Sequence, residues 1–473
     1  MSAQPTDNRG LSLLSGRTFL MQTFGCQMNE HDSERIDGML TAVGALEVAT
    51  AEEADIVVYM TCCVRERAEE RLYGRVSTMA GLPPAHDGRP RVVAIGGCIG
   101  QRDAERLARD LPGVGVVFGT HNLGQLPVLL EAQLETGKTQ VQVVEDSDED
   151  ATSLPSRREQ RWHAWLPITS GCNNFCTYCI VPYVRGREKS RPLEEIVAEA
   201  SLLVADGVRE ITLLGQNVNS YGRDIYGRPR FADVLRAVGE TGIERLRFAT
   251  SHPKDLLDET IAAMAEVPAV MPQLHLPVQS GSNRILNLMN RVYTREDYLG
   301  LVERLRRAVP DIALSTDIIV GFPGETERDF EDTLDLARQV GYAQAFTFIY
   351  SPRTGTPAAQ MEQTATHEQI QDRFDRLVAV IQDTAHACNQ VDLGTVQRVL
   401  VEGASRRDPS MLSGRSEKNQ VVHAPLPMDA LGSQIPIERL TGTMVDVRVD
   451  TARTWYLSGE VVALPEGQGR ANR

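Results

Sequence analysis

"AWLPITSGCNNFCTYCIVPYVRGREKSR", Ala164 to Arg191, is an apolar strand that breaks at Gly171 and passes into a loop carrying Cys172, Cys176 and Cys179, with Arg185, Arg187, Lys189 and Arg191 close behind. Neighbouring thiols in this C-x3-C-x2-C spacing stand at most about 10–14 Å apart even when extended, so a bent loop aims all three at one small object. The strand has successors. "EITLLGQN", "RLRFATS", "QLHLPV", "ALSTDIIVGF" and "AQAFTFIY" follow, separated by helical patterns, as far as Gln390. Six β/α repeats predict a barrel, partial at that count, whose chemistry sits at the carboxyl ends of its strands.

Upstream, the runs "TFLMQTF", "DIVVYM" and "RVVAIGG" alternate with the helical patterns "SERIDGMLTAV" and "AERLARDL". This predicts an open parallel α/β sheet. Cys26, Cys62 and Cys98 each fall just beyond one of the three runs, and both intervals between them are 36 residues. That is the length of one β/α unit, so three parallel strands would present their thiols at one carboxyl edge, where open sheets bind ligands. Gly25 and Gly97 directly precede two of these cysteines and are read as letting backbone approach a bulky inorganic centre. Cys62 and Cys63 are adjacent and face opposite ways at a strand end, so spacing leaves either as the third thiol. The polar, acidic stretch "VEDSDEDATSLPSRREQ" has no apolar period and reads as a linker. The tail changes character again: "VQRVLVEGAS", "NQVVHAP", "GTMVDVRVDTA" and "WYLSGEVVAL" alternate at period two between Gly and Asn turns. That predicts a small antiparallel barrel.

The chain has 473 residues, of which 42% are hydrophobic and 24% charged, values of ordinary globular protein. Its amino terminus is polar, and no apolar run approaches the roughly 20 residues that span a bilayer. A cytoplasmic location without membrane contact is the expectation. Eight cysteines in so long a chain point to metal binding or catalysis rather than a disulfide scaffold. Cys388, alone in a helical stretch, reads as a buried structural thiol. The net charge of −15 argues against nucleic acid, but it is uneven: residues 1–150 hold 13 Lys and Arg against 23 Asp and Glu, whereas residues 394–462 hold eight of each. The tail therefore leaves room for an RNA partner.

Zinc competes for the three-thiol loop, but a structural zinc site needs a fourth ligand, and the nearest histidine, His163, lies nine residues upstream. A 4Fe-4S cluster fits the count, because three thiolates leave one iron open.

The loop resembles the radical S-adenosylmethionine (SAM) enzymes, whose hallmark is C-x3-C-x2-C on a partial barrel. With "QTFGCQMNEHDSERI", "MTCCVRERAEERLYGR", "IGGCIGQ", "HLPVQSGSNRIL" and "STDIIVGFPGET", the chain resembles their methylthiotransferase branch from about Thr18 to Val461, in its tRNA-modifying form. The resemblance implies an N-terminal open parallel α/β sheet domain at 17–134, an acidic linker at 135–157, a central partial (β/α)6 radical SAM core at 158–390, and a C-terminal small antiparallel β-barrel, a TRAM domain that binds RNA, at 393–464. It implies two 4Fe-4S clusters, an auxiliary one on Cys26, Cys62 and Cys98 and a SAM-coordinating one on Cys172, Cys176 and Cys179, with Cys63 a bystander. Met60 stands where the family pattern has Asn. Tyr178, Gln216, Asn217 and Glu325 are the positions that match SAM contacts, although the usual Gly-Gly-Glu after the first barrel helix is not evident. Arg406, Arg407, Arg415 and Lys418 are the candidates for RNA phosphate contacts. The implied activity is methylthiolation of isopentenylated adenosine 37 in the tRNA anticodon loop, with two SAM, an electron donor protein and a sulfur donor.

Overall fold

The computed structural model describes residues 13–62, 66–84, 88, 90–145, 156–429 and 431–464, so Cys63 and residues 146–155 of the acidic linker lie outside the described residues. The chain forms two compact units. The first holds the described residues up to Glu159 together with 170–175 and 179–189, and the second holds 160–169, 176–178 and everything from Ser190 onward.

In the first unit β1 (Thr18–Phe24), α1 (Gln27–Ala42), β2 (Leu46–Glu47), β3 (Ile56–Thr61), α2 (Glu66–Ala80), β4 (Val92–Gly97), α3 (Cys98–Asp110), β5 (Val114–Phe118), α4 (Leu126–Thr136) and β6 (Gln140–Gln142) follow in turn. The strands make one parallel sheet in the order β2-β1-β3-β4-β5-β6. Every residue of β3, β4 and β5 is buried, as expected where helices cover both faces of a parallel sheet. One core joins Ile56, Val58 and Ala94 to Ile36 and Leu40 of α1 and Leu126 and Leu130 of α4. The opposite core joins Val57, Tyr59 and Ile95 to Leu72 and Val76 of α2 and Ile99 of α3. The sheet runs past the start expected for the linker at 135: α4 ends at Thr136 and β6 pairs with β5. A three-residue edge strand carries too little alternation to be read from sequence.

Two-residue strands β8 (Thr169–Ser170) and β9 (Lys189–Ser190) and the one-turn helix α5 (Val181–Val184) come from the cysteine loop and its flanks. In the second unit β7 (His163–Pro167), β10 (Glu210–Leu214), β11 (Arg245–Phe248), β12 (Gln273–His275), β13 (Ala313–Val320) and β14 (Gln344–Ile349) are all parallel. They form two three-stranded sheets, β7-β10-β11 and β12-β13-β14, and a bridge between Leu246 and Val270 joins them. This is the expected six-strand partial barrel. Alternate residues such as Ile211, Leu213, Leu246, Phe248, Leu314 and Ile318 enter the largest apolar core with the surrounding helices. Their neighbours, among them Glu210, Thr212, Arg245, Arg247, Ser315 and Asp317, lie on the other face, as the two-residue period of a strand dictates.

The tail closes as a barrel in the order β15-β16-β17-β19-β18, from β15 (Val396–Ala404), β16 (Met411–Arg415), β17 (Val421–Pro425), β18 (Met444–Ala452) and β19 (Tyr456–Ala463). It is not wholly antiparallel, since β17 and β19 run parallel. A ring with an odd number of strands cannot alternate direction all the way round, so one parallel pair is unavoidable. Two arginines of β11 hold this barrel through its backbone. Arg245 donates to the carbonyls of Arg398 (2.7 Å) and Arg415 (2.9 Å), and Arg247 to those of Ser416 (2.8 Å) and Glu417 (3.0 Å).

Candidate active site

The carboxyl edge of the N-terminal sheet gathers three thiols. Phe24 of β1 pairs with Thr61 of β3, and Thr61 with Gly97 of β4, so Cys26, Cys62 and Cys98 leave three neighbouring strands at nearly the same level. Adjacent strands stand about 4.8 Å apart. Cys62 and Cys98 are buried and Cys26 is partly so. Cys26 and Cys62 hydrogen-bond side chain to side chain, and this contact is the main reason the Cys26 thiol is pulled down to about 5; burial opposes the shift, and the Arg185 guanidinium and the N–H groups of Asn29 and Met28 support it. Cys26 caps α1 and Cys98 begins α3, so both sit at helix amino termini, where partial positive charge favours thiolate.

Polar side chains are packed around these thiols. Asn29 and Asp32 of α1 are buried, and so is Arg185, which follows α5. Arg185 donates to Asn29 Oδ1 at 3.2 Å and to Asp32 Oδ2 at 2.9 Å, and its side chain also hydrogen-bonds Cys98. Burial would raise the Asp32 carboxyl, but Arg185 and His31 overcome it and hold it below the usual range. Ile180 and Val184 anchor the arginine's segment in the same core as Cys98. Asn29 Nδ2 and Thr61 Oγ1 are buried and make no hydrogen bond. Gly25 and Gly97 answer to the protein's own atoms: a Cβ on Gly97, at φ 83°, would lie 2.8 Å from the Thr61 carbonyl, and one on Gly25 would lie 2.7 Å from Asn29 Nδ2. The close approach expected of them is therefore to neighbouring protein atoms.

The second set of thiols lies along its loop, with Cys172 and Cys179 in the first unit and Cys176 in the second. Gly171, at φ 72°, and the Cys172 N–H, which donates to the Gly186 carbonyl at 3.1 Å, fold the loop sharply. Arg187 stacks over Phe175 at 4.6 Å. In the second unit, Arg291 donates to Cys176 Sγ at 3.5 Å, and Tyr178 packs on an apolar cluster of Ile285, Met289, Phe322 and Ala358. His163 sits at the start of β7, against Thr212 and Trp165, so it is held at the strand's amino end. Burial pushes its ring down to about 4.

Beyond the carboxyl ends of β7, β10 and β11, Thr169 Oγ1, Asn217 Oδ1, both amide atoms of Asn219 and Ser251 Oγ are buried without a hydrogen bond. Buried polar atoms are normally satisfied, so this group marks a place for a polar guest. Of the expected SAM contacts, Gln216 is half-buried at the same edge, and Asn217 spends its amide N–H on Asp255 at 2.7 Å, keeping only the oxygen open. Glu325 is engaged elsewhere: it accepts from the Gly321 N–H at 2.8 Å and pairs with Arg373 at 3.3 Å. Among the described residues no three Cys, His, Asp or Glu side chains converge as ligands of one small ion would.

The expected RNA contacts divide. Arg406 and Arg407 are exposed. Lys418 pairs with Asp392 at 2.8 Å, while Arg415 lies 3.5 Å from Glu402 and donates to the Asn419 carbonyl. Cys388 is half-buried and donates to the Gly341 carbonyl. Sequence reasoning missed Asn29, Asp32, Asn219, Ser251 and Arg291. An Asn or Arg next to a turn has no periodicity to single it out. Among the described residues no helix is long and apolar enough to cross a membrane.

Three family models match the chain: the uncharacterized protein family UPF0004 over residues 18–119, the radical SAM superfamily over 166–337 and the TRAM domain over 390–462. Among curated proteins, tRNA-2-methylthio-N(6)-dimethylallyladenosine synthase of Acidothermus cellulolyticus is 52% identical over 86% of this chain and 82% of its own length. The proteins of that name from Acetivibrio thermocellus and Streptomyces coelicolor are 47% and 46% identical, over 94% and 98% of this chain and 91% of each relative. Among solved structures, the radical SAM methyltransferase TsrM of Kitasatospora setae, with cobalamin and a 4Fe-4S cluster, superposes with a TM-score of 0.51 at 15% identity, covering 73% of this chain and 74% of that one. That likeness is one of fold.

Proposed function

The chain belongs to the family of the tRNA-2-methylthio-N(6)-dimethylallyladenosine synthases, and we propose that it converts N6-isopentenyladenosine at position 37 of the tRNA anticodon loop to its 2-methylthio form. It is a radical SAM enzyme, and SAM and a 4Fe-4S cluster belong to that family's chemistry. We infer a second 4Fe-4S cluster in addition to the first. When bound, the first would supply the electron for cleaving SAM and the second the sulfur destined for C2 of the adenine.

In this reading Cys172, Cys176 and Cys179 hold the first cluster and Cys26, Cys62 and Cys98 the second. Three ligands each leave one iron open in both. The donor set fits. The Cys26 thiol favours thiolate, and helix amino termini favour it at Cys26 and Cys98. Thr169, Asn217, Asn219 and Ser251 would bind and orient SAM through their unsatisfied atoms, with Tyr178 and Gln216 at the same end of the barrel. Arg406 and Arg407 would meet RNA phosphates, while Arg415 and Lys418 hold the tail barrel in shape. An electron donor protein and a sulfur donor are required as partners.

The observation that carries this reading is the level alignment of three cysteines at the ends of three adjacent parallel strands. Nucleoside analysis of tRNA from a strain lacking the gene tests it. Complementation with the wild-type chain restores 2-methylthio-N6-isopentenyladenosine, and Cys62→Ala leaves N6-isopentenyladenosine unconverted. Full modification with Cys62→Ala would refute the reading.

A further inference from the structure

Each set of thiols meets one buried guanidinium. Arg185 is packed inside the N-terminal unit with its donors on Asn29, Asp32 and Cys98, and it stands close to Cys26. It reaches them from the chain segment just after Cys179, held by Ile180 and Val184 in the core that contains Cys98. Arg291, in the second unit, is equally enclosed: its partners are the Pro277 carbonyl at 2.7 Å, the Tyr293 hydroxyl at 2.9 Å and Cys176 Sγ at 3.5 Å. Among the described residues no carboxylate pairs with Arg291. A guanidinium does not deprotonate in a protein, and a buried cation without an anion is strongly unfavourable. Of these three partners, the Cys176 sulfur is the one that becomes an anion as a metal ligand.

We propose that Arg185 and Arg291 are positioning residues, one for each thiol set, whose buried charges hold the thiolates in place and make each iron centre easier to reduce. The inference rests on the two-centre reading above. Each arginine is expected to act on its own centre and to leave the other unchanged, which a general loss of stability would not do.

The test uses the full-length chain, reconstituted anaerobically, in two backgrounds. Cys26→Ala/Cys62→Ala/Cys98→Ala keeps the loop centre alone, and Cys172→Ala/Cys176→Ala/Cys179→Ala keeps the sheet-edge centre alone. Iron content in these backgrounds tests the two-centre reading separately: a background that binds no iron sinks that reading. Redox titration followed by electron paramagnetic resonance then tests the arginines. Arg291→Met is expected to lower the reduced-to-oxidised ratio of the loop centre at fixed potential roughly tenfold, which is 59 mV for one electron. Arg291→Lys, which keeps the charge, is expected to recover most of it. Arg185→Met and Arg185→Lys should do the same to the sheet-edge centre. If the Met and Lys variants behave alike, both unchanged or both stripped of iron, or if either arginine shifts the other centre, the proposal is overturned.

Discussion

Gly171→Ala is a one-methyl perturbation aimed at the loop that carries Cys172, Cys176 and Cys179. Gly171 sits at φ 72°, and an added Cβ would overlap the Arg187 carbonyl oxygen, with the Arg187 carbonyl carbon at 2.6 Å and the Gly186 oxygen at 2.7 Å. All three neighbours are backbone, so no side chain can swing aside. Carbon contacts relax near 3.5–4.0 Å, so the loop must open by about an ångström. Left-handed backbone costs an alanine roughly 1–2 kcal/mol in addition. The residue displaced is Cys172, whose N–H is fastened to the Gly186 carbonyl in that same turn. A misplacement of about 1 Å lowers a rate by about 100-fold. The expected outcome is a fall of at least that order in SAM cleavage, measured as 5′-deoxyadenosine formed under dithionite, with iron falling from about eight toward about four per chain to the extent that the loop loses its cluster. Gly186→Ala is the control. It shares the positive φ, at 73°, but its Cβ would meet only the His121 ring at 3.8 Å, so it is expected to retain iron and most of the cleavage. Wild-type cleavage and iron in Gly171→Ala, or equal losses in the two variants, would refute the steric reasoning.

Cys62→Ala is expected to halve the iron content and abolish thiolation while sparing SAM cleavage, whereas Cys63→Ala changes neither; iron assay and nucleoside analysis of the two variants separate them. Arg406→Ala/Arg407→Ala should weaken tRNA binding and reduce the slope of log affinity against log salt by up to about 2, one for each phosphate no longer neutralised; Arg415→Ala/Lys418→Ala should change that slope less. Burial outweighs Arg373 and pushes the Glu325 carboxyl up to about 7, from an ordinary value of 4.5. An acid raised on folding favours the native state below its unfolded value, and that contribution is lost as pH rises from about 4.5 through 7. Thermal unfolding of Glu325→Gln should therefore depend less on pH across that window than that of the wild-type chain.

What could be read from the chain alone follows from what repeats. Strand-end cysteines recur at the spacing of a β/α unit, and the barrel strands announce themselves by apolar runs, so the sheet edge and the barrel were legible. The polar shell was not. Arg185 meets Asp32 across 153 residues and Asn29 across 156, and no local pattern encodes a contact at that distance. Lys418 reads as a phosphate ligand because its charge is visible in the sequence, whereas its ion pair with Asp392 forms across 26 residues, which no local pattern encodes. Gly25 and Gly97 read from the sequence as letting backbone approach an inorganic centre, whereas the atoms that an added Cβ would meet belong to Asn29 and Thr61. Glu325 ends a Gly-rich strand turn, as a cofactor contact would, yet it serves that turn itself.

Mössbauer spectroscopy of the anaerobically reconstituted chain, recorded alone, with SAM and with methanethiolate, is the most direct test of the proposal that two centres are each held by three cysteines. Two four-iron clusters are expected, with SAM perturbing one iron of the first and methanethiolate one iron of the second. A single cluster, or two whose irons all keep their spectra when both ligands are present, would contradict it.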